Sequence, residues 1–339
     1  MKAGILVIGP PGAGKTTFCN GAQQASSLQF LEGMQRPVSI VNLDPAEMSP
    51  SYEPAFSISE LITLKEVMDT FGLGPNGGLL YAMEYLEKNF DWLEESLAKL
   101  GKDPFVVFDL PGQVELSTDH QSLKHLTLKL QKLGFQLGVV SMADSYHITD
   151  ASKYVALLLL SLKMMVQMEL PTINVLSKID LVSKYDKLPF NLEFYTDMQD
   201  LSFLETELNK DPRAARFAKL NHAVCELIED YSFAHTGFET LCVEDKASMA
   251  ALFQAIDRAI GYIPPGVHAH DRLAGQEPED LRLTVQPAIT SNVGDVQERY
   301  VDFPELHRAH ELQAWQAEGD AAIDRANEAE RSNRIIRAE

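Results

Sequence analysis

Cysteine is scarce in this chain, with three in 339 residues. Cys19, Cys225 and Cys242 lie far apart and no C-x-x-C pair exists. That excludes a disulfide scaffold and a thiolate zinc centre, and it fits a reducing compartment. Positive charge is also short: 29 Lys and Arg stand against 49 Asp and Glu, a formal net charge of −20. There is no block of basic residues and no phosphate-neutralising excess. Direct binding to nucleic acid or to an anionic membrane is therefore not expected. Long apolar runs are missing too. The greasiest, Val155–Leu160, is flanked by Lys153 and Lys163, falls well short of a membrane span, and reads as part of a buried core helix. The histidine pairs His120/His125, His268/His270 and His307/His310 have no Cys or carboxylate cluster at zinc-like spacing and read as surface residues. There are no internal repeats.

What is present is a globular composition, 45% hydrophobic and 23% charged, in a chain long enough for one large or two small cores. Apolar runs at 4–8, 38–43, 105–108, 137–142 and 172–176, with a weaker one at 240–243, alternate with helical stretches long enough for right-handed crossovers. The expected fold class is α/β, a mostly parallel sheet flanked by helices. Ligands in such folds sit at the carboxyl ends of the strands. Lys15, Asp44, Asp109, Asp144 and Asp180 all fall at or just past predicted strand ends, so one polar site is expected there. After Gly261–Gly266 the character changes. Residues 267–339 are poor in apolar side chains and contain no lysine. They read as a flexible, partly helical tail, dispensable for ligand binding, behind a main domain of residues 1–266. The Met164, Met165 and Met168 set reads as core packing, with a partner-peptide groove as the alternative.

Gly9-Pro10-Pro11-Gly12-Ala13-Gly14-Lys15-Thr16 fits the P-loop pattern G-x-x-x-x-G-K-[ST] between a strand and a helix. Its glycines let backbone N–H groups wrap phosphates, and the helix N-terminus adds positive charge. Lys15 would reach the β- and γ-phosphates, Thr16 would ligate Mg²⁺, and Thr17 could bond the α-phosphate. The loop begins so near Met1 that no signal peptide is expected before it. Phe105–Phe108 ends in Asp109-Leu110-Pro111-Gly112-Gln113. That places Asp109 near the magnesium shell and gives Gly112 a backbone able to approach the γ-phosphate and to move when it leaves. Thr172–Leu176 ends in Ser177-Lys178-Ile179-Asp180. The Asp180 carboxylate can accept from guanine N1–H and the N2 amine, donors that adenine lacks there. Lys178 can lay its stem over the base. Ser177, where Asn or Thr is usual, is expected to lose one side-chain tether. Asp44 ends the second strand, where it could orient water. Gly72–Gly78 holds four glycines and a proline, and reads as a rigid loop presenting Asn76.

The G-P-N triplet, taken with the P-loop, D-P-A, D-x-P-G-Q-x-E and S-K-x-D-L in that order, resembles the GPN-loop GTPases over roughly residues 3–263. Leu188–Thr196 and Ser291–Val301 look most like the eukaryotic type-2 branch. The resemblance implies a dimeric, Mg²⁺-dependent GTPase of the signal-recognition-particle-like class, cycling between GTP and GDP. It implies that two protomers, identical or two members of the family, face each other across their nucleotide sites, with Asn76 reaching into the partner's site. It also implies that Asp44 helps position water, that Gln113 and Glu115 belong to a moving switch, and that a helical insertion lies at about 183–235. Family members act in cytoplasmic assembly and nuclear import of RNA polymerase II. RNA polymerase II subunits or assembly factors are thus the implied partners, and a cytoplasmic location with shuttling to the nucleus is implied.

Two enzyme rivals fit less well. An ATPase of the MinD type would carry a lysine where Pro10 stands and would lack the K-x-D element. A small-molecule kinase would need an arginine-rich lid. A scaffold that holds GTP with little turnover stays open beside the hydrolase reading.

Overall fold

The computed structural model of the protein describes residues 1–27, 37–185, 187–197, 201–210, 216–232, 237–263 and 293–308. Seven strands form one sheet: β1 (Lys2–Ile8), β2 (Val38–Asn42), β3 (Phe56–Ser57), β4 (Phe105–Asp109), β5 (Phe135–Asp144), β6 (Thr172–Ser177) and β7 (Phe238–Leu241). Their order is β3-β2-β4-β1-β5-β6-β7, and every pairing is parallel. The α/β expectation holds. The two-residue strand β3 was not expected, because two residues carry no readable alternation.

Side-chain alternation along the central strands divides the core. Ala3, Ile5 and Val7 of β1 and Phe105 and Val107 of β4 face one layer. That layer holds α1 (Lys15–Ser27), whose Phe18 and Ala22 pack there with residues of the last long helix. Leu6, Ile8, Val106 and Phe108 face the other layer. It is built from α2 (Leu64–Phe71), α3 (Pro75–Lys88), α4 (Phe90–Ala98), α5 (Val114–Thr118), α6 (Gln121–Lys132) and the end of α7 (Ala151–Met168). Helix α7 is long and apolar enough to cross a membrane by length and composition. Its Tyr154, Leu157, Leu158, Ser161, Met164 and Met168 are nevertheless buried against the protein. Met164 and Met168 are thus core, as the packing reading expects.

Inside the stretch expected as a helical insertion lie α8 (Leu192–Asp197), α9 (Ser202–Leu208) and α10 (Ala218–Ser232). Leu192, Tyr195, Leu204, Leu208 and Ile228 form a third cluster with the first half of α7. The Tyr154 hydroxyl donates to the Tyr195 carbonyl at 2.9 Å. The chain then forms α11 (Lys246–Ile260), started by the Asp245 carboxylate on the Ala247 amide and ended by Gly261 in the left-handed region. Beyond Gly266, α12 (Val293–Gln297) and a π-helical turn, Glu298–Asp302, pack onto this third cluster.

One expectation is corrected. Gly72–Gly78 is not a loop throughout. Gly72 caps α2 at φ 64°, Gly74 is the N-cap of α3, and Pro75 is its first residue. Proline suits that position because its fixed φ is helical and its missing N–H has no intrahelical partner to lose. Gly77 and Gly78 lie within the helix. A Cβ on Gly78 would sit 2.6 Å from Leu64 Cδ1, so glycine there permits the close approach of α3 to α2.

Candidate functional site

The parallel register brings the predicted residues to one edge. Val7 and Asn42 each pair with Asp109, so β1, β2 and β4 end level. The P-loop leaves β1 at that level and turns into α1. Gly9, Gly12 and Gly14 have φ of 146°, 79° and 87°, in the region that side chains rarely adopt. At Gly9 space is also lacking, since a Cβ would lie 2.2 Å from the Met142 carbonyl oxygen. Pro10 is half-buried, Ala13 is buried, and Pro11, Gly12 and Thr17 are exposed, so the loop shows a backbone surface outward.

Lys15 is buried and its Nζ donates to the carbonyls of Gly9 and Pro10 at 3.0 and 3.1 Å. Burial lowers its pKa, opposed by the charges of Asp109 and Asp44. Asp109 is buried at the end of β4, and burial pushes its carboxyl up to about 6 against hydrogen bonds from Tyr52 and Thr16 and the charge of Lys15. Burial also raises Asp44, opposed by the hydrogen bond from the Ala46 amide and by Lys15. The neighbouring frame is held by Asn42, fully buried, whose amide nitrogen donates to Glu47 O and Ser57 Oγ at 2.8 and 3.1 Å. Its Oδ1 accepts from the Asp44 amide at 3.0 Å.

Two residues at this edge had no sequence signal. The Tyr52 hydroxyl donates to Asp109 Oδ2 at 2.9 Å, and burial followed by the Asp109 charge pushes its pKa up. Tyr52 comes from a Pro/Ser-rich stretch with no readable periodicity. Cys19 lies under the P-loop on α1, with its thiol raised by burial and by Asp109. A buried carboxylate beside the Thr16 hydroxyl is the oxygen donor set that a hard divalent cation takes, so Thr16 and Asp109 fit Mg²⁺.

Gly112 meets the P-loop closely. A Cβ there would lie 2.9 Å from Lys15 Nζ and 3.2 Å from Pro11 Cα. Gln113 precedes α5, and its Oε1 is buried without a partner among the described residues. Glu115 is exposed in the first turn of α5. Asn76 is exposed at the second position of α3 and makes no side-chain hydrogen bond among the described residues. Phe71 and Leu73, which precede it in the chain, are exposed as well.

The Ser177–Asp180 element is joined directly to the phosphate loop. Ser177 Oγ lies 2.7 Å from the Ala13 carbonyl and 3.0 Å from the Ala143 carbonyl, so the hydroxyl ties β6 to both the P-loop and β5. The expected loss of a tether is thereby corrected: the short hydroxyl reaches because β6 passes close behind Ala13. Lys178 takes the left-handed conformation at φ 57°, and its Nζ pairs with Asp144 Oδ2 at 2.8 Å. Ser145 Oγ donates to the Lys178 carbonyl at 2.9 Å. Asp180 is half-buried in the helical turn that follows.

Residues 7–262 match the family described as "Conserved hypothetical ATP binding protein". The chain is 49% identical over 312 residues to GPN-loop GTPase QQT1 of Arabidopsis thaliana, covering 90% of this chain and 99% of that protein. The chain belongs to the GPN-loop GTPase family. To GPN-loop GTPase 2 of Danio rerio it is 44% identical, covering 92% and 96% of the two chains. To GPN-loop GTPase 2 of Saccharomyces cerevisiae it is 38% identical, covering 92% and 88%. The structure also resembles a GTPase in apo form from Pyrococcus abyssi, with a TM-score of 0.58 at 21% identity, over 76% of this chain and 97% of that one. At that identity the likeness speaks for the fold. Of the histidines, His120 and His125 pair with Glu84 and Glu87, and the described residues contain no cluster of metal-binding groups. His268, His270 and His310 lie outside the described residues.

Proposed function

We propose that the protein binds GTP with Mg²⁺ and hydrolyses it as a conformational switch. The observation that carries this reading is the 2.7 Å contact of Ser177 Oγ with the Ala13 carbonyl, which joins the base-reading segment and the phosphate loop into one site. Lys15 and the P-loop amides, with Thr17, hold the phosphates and neutralise charge as it develops. Thr16 and Asp109 hold the cation, which would supply Lewis-acid stabilisation of the transferring phosphoryl oxygens. Asp44, held by Asn42 and poised by burial, orients the attacking water. Asp180 accepts from the guanine edge, with Lys178 laid beside it. That supports guanine over the adenine suggested by the family description. Gly112, Gln113 and Glu115 form the segment that responds to the γ-phosphate, because Gly112 already abuts Lys15.

The working unit in this proposal is a dimer with an identical chain or another GPN-loop GTPase. Support comes from Asn76, exposed in the first turn of α3 and preceded in the chain by the exposed apolar Phe71 and Leu73. Assembly and nuclear import of RNA polymerase II in the cytoplasm, with shuttling to the nucleus, is the cellular role that the resemblance supports.

The test is titration of the purified protein, with Mg²⁺, against fluorescent GTP and ATP analogues in parallel. Strong preference for GTP, lost in Asp180→Ala, is expected. Equal binding of the two would reduce Ser177–Asp180 to an ordinary strand end and reopen the ATPase reading.

A further inference from the structure

The segment after Gly266 was expected to be dispensable for nucleotide binding. Residues 293–302 lie beyond residues 7–262, the stretch that the family description matches, yet they pack directly on the base-reading end of the sheet. Val296 is buried in the cluster that contains Leu176, Ile179 and Val182, the apolar residues flanking Lys178 and Asp180. Gln297 Oε1 accepts from the Leu192 amide at 2.7 Å, fixing the segment to the start of α8. Arg299 Nη1 lies 2.8 Å from Asp245 Oδ2, and the Tyr300 hydroxyl reaches the same oxygen at 3.3 Å.

Asp245 is a pivot. Its Oδ1 caps α11 through the Ala247 amide at 2.9 Å, while its Oδ2 holds the C-terminal pair. It closes the turn that leaves β7 through Cys242, and the Asp245 amide donates to the Cys242 carbonyl at 3.2 Å. Because Leu241 pairs with Ser177 across β6 and β7, Cys242 emerges beside Lys178. Burial, followed by the charge of Asp180, raises the Cys242 thiol, and a hydrogen bond with Tyr300 opposes that. Arg299 and Tyr300 thus meet at Asp245, the residue that ends the turn.

We propose that Arg299 and Tyr300 are positioning residues for guanine recognition: they clamp the Cys242–Asp245 turn against the Lys178–Asp180 segment and so set affinity for the base. The proposal rests on Asp180 as the base reader. It makes part of the C-terminal segment a support for the nucleotide site, one that lies beyond residues 7–262. A loosened clamp lets Asp180 and the turn beside it sample several positions, and only base-dependent binding suffers. The phosphate loop, held by β1, β4 and β5, is left in place.

The experiment uses the full chain with Arg299→Ala, Tyr300→Phe, the double variant, Arg299→Lys and Asp180→Ala. Affinities for fluorescent GDP and ADP are measured for each, with melting temperatures. A partly exposed ion pair is modest in strength, so Arg299→Ala should weaken GDP binding by roughly fivefold and leave ADP nearly unchanged. The double variant should do more, and Arg299→Lys should restore part of the loss. General destabilisation would weaken both nucleotides alike and would overturn the proposal. So would a GDP-to-ADP ratio held within twofold in the double variant while Asp180→Ala collapses it. If Asp180→Ala itself leaves the ratio unchanged, the base-reader assignment fails first. As a second readout, site-resolved thiol labelling of Cys242, which is 5% exposed, should speed up in the folded double variant. An unchanged Cys242 rate would count against the clamp even if affinity fell.

Discussion

Single side chains at the strand ends carry much of the site. Ser177 offers one hydroxyl to two buried carbonyls, those of Ala13 and Ala143. Ser177→Ala leaves both without that donor, and a buried unsatisfied group costs about 1–3 kcal/mol. The expected outcome is a lower urea midpoint together with weaker GDP binding, since the lost tether also joins the Ser177–Asp180 segment to the P-loop. A lower midpoint with undiminished GDP affinity would place the hydroxyl outside the site's organisation. Glu239 on β7 gives a pH-dependent prediction. Burial raises its carboxyl above the usual range, partly offset by Arg258. A carboxyl raised in the folded state binds more protons folded than unfolded, so its contribution is favourable at low pH and is lost as pH rises through that window. Glu239→Gln should therefore raise the melting temperature at pH 8 and change it little at pH 4. Equal shifts at both pH values would contradict the assignment. The places of the P-loop, Asp109 and Asp180 at or just past strand ends were legible because an apolar run stops just before each. Tyr52 was not, because a tyrosine in a Pro/Ser-rich stretch announces neither burial nor a carboxylate partner.

At the scale of elements, the G-P-N segment shows how composition misleads. Four glycines and a proline in seven residues argue against a helix when summed as propensities. Position reverses the argument. Pro75 is tolerated at the first helical residue, Gly72 is needed at φ 64° to end α2, and Gly78 is required by contact with Leu64. Gly78→Ala would put a Cβ 2.6 Å from Leu64 Cδ1, the end of a flexible side chain that can move. Overpacking of this kind costs about 1–3 kcal/mol. Denaturant unfolding should show a loss in that range. Hydrolysis should fall by more than nucleotide affinity does, since α3 carries Asn76, proposed to act in the partner's site. A parallel loss of GTP affinity would place α3 in the cis site. The major strands, by contrast, were legible because continuous apolar runs are what a parallel sheet covered on both faces requires.

For the whole molecule, the decisive question is whether one chain suffices. Asn76→Ala and Lys15→Ala are each expected to be nearly inactive in hydrolysis. Mixed and allowed to exchange, they should regain part of the activity, because one composite site then holds an intact Lys15 and a partner's Asn76. Absence of recovery in heterodimers verified by mass would reject action in trans. Such an arrangement is invisible to sequence spacing, which ranks residues along one chain. The C-terminal segment teaches the same lesson within a chain. Its sparse apolar positions fit a tail, yet Val296 is buried and Tyr300 partly buried because the third cluster, built by α7 and α8 to α10, presents a complementary surface. By itself the sequence determined the α/β class, the P-loop and the strand ends at Asp109 and Ser177, because these depend on local patterns and on residue types at fixed spacing. Only the tertiary structure decided that Tyr52 meets Asp109, that Ser177 reaches Ala13, that Asn76 sits in the first turn of a helix, and that Arg299 holds Asp245. Those contacts join residues far apart in the chain, and their geometry follows from strand order, register and packing, which no local pattern encodes.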